Sequence, residues 1–225
     1  MVSIGLVDEH ELMIDEPLQI RIHATDGTRR TVVQEDPLLI HRTLQELDPV
    51  ALFSQNKIAL ADQDSEVSFL AAAVMRIDLL TSRLSVWDYP FVLGALVELA
   101  EPEFLEFIRE PGRREPVDAA GGTPVFLKLE MLHGQRVFLW MRVIAGLPAA
   151  CWQRIYSLFE APRLIFDLRA AGIGVLNLSH LLHYSIYPDP VELAGGDGAA
   201  ARAIERARLR LASTAAAFRV PVTAR

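Results

Sequence analysis

Residues 18–33, LQIRIHATDGTRRTVV, decide how the rest of the chain is read. Leu18, Ile20 and Ile22 alternate with Gln19, Arg21 and His23, and a β-rich run resumes after Asp26-Gly27. Alternation around Asp-Gly predicts a hairpin, with the glycine supplying the positive φ of a type I′ turn. Glu35-Asp36-Pro37 then opens a helix, since Asp36 can cap it and Pro37 suits its first position. Leu39, Ile40, Leu44 and Leu47 recur at helical spacing, and Asp48-Pro49 ends the run.

Working outward, a second hairpin is predicted from Val125–Leu132 and Gln135–Ile144, joined at His133-Gly134. Residues 57–61 read as a strand, and the polar turn Asp62–Ser65 follows it. Glu66–Leu80 is read as a buried strand, because Arg76 and Asp78 then share one face at i and i+2 and can pair. Helices are predicted over Phe91–Ala100, from Pro102 to Ile108, after Leu147-Pro148 and over Arg163–Ala171. Ile173–Leu178 reads as a short strand. Residues 188–198 form a linker, and Ala199–Phe218 is an Ala/Arg-rich helix.

The resulting class is α+β: antiparallel β-hairpins packed with helices, closed by a C-terminal Arg/Ala-rich helix. Proline, glycine and charge cluster in residues 110–122, EPGRREPVDAAGG. That cluster divides an acidic N-terminal α+β lobe, 1–112, from a C-terminal α+β lobe, 120–225, unless the chain is one continuous domain.

Charge divides along the same line. Residues 1–118 hold 10 Arg/Lys against 22 Asp/Glu, a net of −12; residues 119–225 hold 12 against 7, a net of +5. Arg202, Arg206 and Arg210 fall at i, i+4 and i+8 and form a basic stripe. The stripe, with Trp87 and Tyr89 of an aromatic loop, is the expected partner-binding surface. A net charge of −7 argues against nucleic acid as the partner.

Candidate chemistry is thin. His180-x-x-His183 with Tyr184, and with His133 from the second hairpin, is the densest set of functional residue types and the expected ligand-binding group. No HExxH glutamate accompanies the histidine pair, so no metal is assigned. Cys151 is the one thiol of the chain and sits among Ala149, Ala150 and Trp152, which suits packing better than nucleophilic work. There is no G-x-S-x-G elbow, and Gly195-Gly196-Asp197-Gly198 lacks the Lys-Ser/Thr of a phosphate loop. The dinucleotide fingerprint fails as well, because no third glycine follows Gly172-Ile173-Gly174 at its spacing. No cofactor is called for.

These residues favour a non-catalytic bacterial protein of the cytoplasm, an accessory, assembly or regulatory factor acting through protein contacts. Its expected partner is a protein or a second copy of itself. The alternative is a small-ligand binder or enzyme with a His/Tyr pocket around 180–189. The start of the chain shows no signal-peptide pattern, and its longest apolar runs fall well short of the roughly 20 residues of a spanning helix.

Overall fold

The computed structural model describes residues 16–47, 52–62, 65–81, 96–109, 122–144, 155–169 and 172–188. It is a strand-rich α+β fold that divides into two compact units. One unit comprises Met1–Trp87 with Asp167–Asn177, the other Asp88–Phe166 with Leu178–Arg225. Residues 110–121 lie outside the described residues, as do Trp87, Tyr89, Cys151 and the arginine-rich segment from 199 onward.

In the first unit β1 (Leu18–Ala24) and β2 (Arg29–Gln34) form the antiparallel hairpin expected around Asp26-Gly27. The turn differs from the type I′ expectation. Gly27 alone in this loop has positive φ, +84°, whereas type I′ needs it at both central residues. Ala24 N donates to Thr28 O at 2.9 Å and Gly27 N to Ala24 O at 3.1 Å, which closes a three-residue loop with glycine in the left-handed position. Asp26 braces it, accepting from the Thr28 hydroxyl at 2.7 Å and from the Thr28 amide at 2.8 Å. Those two bonds hold its exposed carboxyl below the usual range.

The helix α1 (Pro37–Glu46) starts as its sequence requires. The Asp36 side chain accepts from Leu38 N at 2.9 Å, and Pro37 occupies the first turn where no amide donor is needed. Ile40, Thr43 and Leu47 form its buried stripe. Beyond it, β3 (Lys57–Asp62) and β4 (Ser65–Leu70) make a separate two-stranded ribbon. The expected single strand over 66–80 is therefore interrupted. A 3-10 turn at Ala71–Ala73 ends β4, and β5 (Val74–Leu80) joins the main sheet of the unit.

That sheet runs β2-β1-β5-β10, with β10 at Ile173–Asn177. Its register stacks Ile22, Ile77 and Val175 in one row, and Val32, Ile20, Leu79 and Ile173 in the next. All seven side chains are buried. Each such burial is worth roughly 1.5–3 kcal/mol, so this face is the main stabiliser of the unit. Gly172 enters β10 at φ +135°, where a Cβ would collide with the Leu79 carbonyl oxygen. Only glycine lets the two backbones approach this closely.

In the second unit the strand order is β11 (Leu181–Tyr187), β7 (Gly122–Met131), β8 (Arg136–Ile144), β6 (Val97–Leu99) and β9 (Arg163–Asp167). The long hairpin of β7 (Gly122–Met131) and β8 (Arg136–Ile144) matches the expected one, turning through His133 (φ +72°) and Gly134 (φ +81°). Two expectations fail. Val97–Leu99 is not the end of a helix but a strand, β6, paired with Phe138–Trp140 of β8. Arg163–Asp167 is not helical either. It forms β9, whose buried Leu164 and Phe166 alternate with partly buried neighbours at strand period. Ladder pairing overrides local propensity at both places.

Helix α2 (Glu101–Arg109) covers one sheet face of this unit, with acidic residues in its first turn and Arg109 in its last, as the helix dipole favours. Buried Phe104 meets Phe138 at 4.8 Å, Tyr187 at 5.9 Å and Phe126 at 6.3 Å between ring centroids. Phe107 stacks on Phe126 at 5.3 Å. Among the described residues no helix is long and apolar enough to cross a membrane.

Candidate functional site

The expected ligand residues gather on and beside β11 (Leu181–Tyr187). His180 closes the 3-10 turn Leu178–His180 that leads into it and is not on an α-helix, so the histidine pair does not have helical i, i+3 geometry. Leu181 pairs with Met131 and His183 with Glu130, so β11 begins where β7 runs into the His133 turn. The register thus brings His133, His180 and His183 to the same end of the β7–β11 pair. Tyr184 follows His183 directly and so points to the opposite sheet face. There it stacks on Phe159, 4.1 Å between centroids and 9° from parallel. Tyr184 also lines a cleft of about 350 Å³ with Tyr156 and Ile186. Among the described residues no group of three or more His, Cys, Asp or Glu has the arrangement of a metal site.

On the histidine side, Lys128 Nζ meets Glu130 Oε1 at 2.6 Å. This bond, then the lysine's charge, holds the half-buried Glu130 carboxyl below its usual range, with smaller contributions from Arg136 and His183.

The outer edge of β11 is its most distinctive property. Residues 178–187, LSHLLHYSIY, contain no Asp, Glu, Lys or Arg. Among the described residues β11 pairs with β7 only. Leu182 is 57% exposed and the strand carries half-buried Tyr184 and Ile186 beside it. Native edge strands are normally blunted by charge, especially lysine, because their free N–H and C=O groups template further pairing. β2, which among the described residues pairs with β1 only, shows that protection in its exposed Arg29 and Arg30.

A second polar constellation escaped the sequence reading. In the first unit His23 Nε2 donates to Asp78 Oδ2 at 2.9 Å, and Arg76 Nε donates to Asp78 Oδ1 at 2.5 Å. The three residues are 7%, 1% and 7% exposed. The Arg76–Asp78 pairing on one strand face was expected; the arrival of His23 was not. Gly174 stands opposite Asp78 on β10 and brings no side chain to that position. Burial alone would raise the Asp78 carboxyl. The His23 hydrogen bond and the Arg76 charge outweigh it, and Asp78 is held below the usual range. The cluster holds no activated nucleophile and opens onto no described cleft, so its chemistry is that of a satisfied buried ion pair.

No protein-family model, curated protein sequence or solved structure matches this chain.

Proposed function

We propose that this chain is a non-catalytic cytoplasmic interaction protein, an accessory, assembly or regulatory factor whose first partner is a second copy of itself. The supporting observation is the uncharged outer strand β11. An edge free of Asp, Glu, Lys and Arg meets its own copy without like-charge repulsion while its histidine is neutral, and antiparallel pairing about a two-fold axis is self-complementary by symmetry. Leu182, Tyr184 and Ile186 then supply apolar contact to a ladder of backbone hydrogen bonds. The arginine-bearing edge β2 is unsuited to the same role, since a second copy would oppose Arg29 and Arg30 with like charge.

Analytical ultracentrifugation across a concentration series tests this reading. The expected result is a monomer–dimer equilibrium that Leu182→Lys weakens at least tenfold, with the circular-dichroism spectrum unchanged. Amides of 181–187 are expected to gain exchange protection as concentration rises. A strictly monomeric chain at 100 μM, or a dimer indifferent to the lysine, overturns it.

A further inference from the structure

A different part of the molecule holds a cleft of its own. In the first unit, α1 and the β3–β4 ribbon flank a cleft of about 400 Å³. The ribbon register puts Lys57, Ala59 and Ala61 of β3 on one face, with Glu66 opposite Ala61 and Leu70 opposite Lys57. Ala59 and Ala61 are the smallest side chains available at those positions, and they leave the space open. Across it, α1 contributes Leu39 and Arg42, and Leu52 also lines the space.

The charges in this cleft are unevenly placed. The chain has only two lysines. Lys128 is committed to Glu130, whereas among the described residues no carboxylate forms an ion pair with Lys57. Arg42 lines the same space. Among the described residues the one acidic side chain lining the cleft, Glu66, stands about 14 Å further along the ribbon, four residues at about 3.4 Å each. An anion is therefore drawn to the Lys57 end and repelled from the other, which fixes the direction of anything elongated.

Gln34 is hydrogen-bonded to the lining of the cleft without itself lining it. Gln34 is buried, 1% exposed, and its Nε2 donates at 2.7 Å to the carbonyl of Ala61, a lining residue. Its Oε1 is buried and accepts no hydrogen bond among the described residues. Buried acceptors are normally paired.

We propose that this cleft binds a small amphipathic anion, a carboxylate or phosphate monoester on a short apolar body. The head lies at Lys57 and Arg42, and the body runs over Ala59 against Leu39 and Leu52.

The test uses the full chain, with hexanoate, hexyl phosphate and hexylamine as probes, followed by isothermal titration and by amide chemical-shift mapping. One or both anions are expected to bind and to shift amides within residues 39–66, and which of them binds tighter separates the carboxylate from the phosphate source. The amine is expected to bind at least tenfold more weakly. Lys57→Gln is expected to weaken the anion about tenfold, the loss of one charge-assisted hydrogen bond. Ala59→Leu, at an exposed strand position that leaves the fold intact, is expected to abolish binding by filling the space. Equal affinity for amine and anion, binding that survives Ala59→Leu, shifts outside 39–66, or no anion binding at 10 mM each overturns the assignment.

Discussion

The first unit buries charged groups on one face of its sheet, where His23, Arg76 and Asp78 sit between strands β1 and β5. The second unit fills a face of its own sheet with rings, Phe104 of α2 seated among Phe126, Phe138 and Tyr187. Both solutions exclude water, but they differ in what they tolerate. A ring cluster gains from apolar area and from edge-to-face contact, and it degrades gradually as atoms are removed. A buried ion cluster is satisfied only as a set, because a lone charge left behind pays the full desolvation penalty. The first unit is thus the brittle one, and the second the forgiving one.

Substitutions can break or sharpen this contrast. The largest effect is expected at Gly172, where a methyl group has no room against Leu79 and φ +135° is strained for any L side chain. Gly172→Ala should destabilise the first unit by more than about 4 kcal/mol, the range of exceptional single-site losses. Protection factors of β1 and β5 amides should collapse while those of β7 and β8 persist; joint collapse would show that the units do not open separately. Next comes Asp78→Ala, which leaves Arg76 buried without its carboxylate and should cost about 3–5 kcal/mol.

The same carboxylate makes the first unit acid-sensitive. Its folded value lies below the unfolded one, near 3.8. Its contribution is therefore complete above about pH 4 and is lost as pH falls through the folded value. Urea unfolding at pH 6 and pH 3, followed at β1 and β5, should show a larger loss in the parent than in Asp78→Ala, which keeps the Asp26 contribution. An identical pH profile in both would remove the ion cluster from the account. The smallest effect is expected from Phe104→Leu, about 1–1.5 kcal/mol, since a branched aliphatic side chain keeps most of the buried volume. A loss as large as that of Asp78→Ala would erase the contrast between the units.

How far the chain announced this structure depends on the range of each contact. The hairpins at 18–34 and 122–144 could be read because their signals are local, alternation flanking a Gly-containing turn. Arg76 and Asp78 were legible as a pair for the same reason, being two residues apart on one strand face. His23 was not, because it meets Asp78 across 55 residues. The available hint was that Gln19, Arg21 and His23 make a polar strand face, which calls for a polar neighbour if buried. β6 and β9 went unread because Val97–Leu99 and Arg163–Asp167 are too short to show a period. Their strand character comes from a place in the ladder, β6 beside β8 and β9 beside β6. Of the ligand residues, the type and proximity in sequence were visible. The strand that places His183 and Tyr184 on opposite faces was not, because a histidine pair at i, i+3 reads equally well on a helix.

The path of the chain through its two units bears on how the protein is made. β10 completes the first sheet by pairing with β5, although about a hundred residues separate them and most of the second unit lies between. β11, the outer strand of the second sheet, follows β10 immediately. On a ribosome emitting about 5–20 residues per second, neither sheet can acquire its last described strand until residues beyond 170 have emerged. Both units then mature within the same few seconds. Until that point the edge of β5 that carries Ile77 and Leu79 lacks its neighbouring strand, so the nascent chain spends most of its synthesis with that apolar edge unpaired.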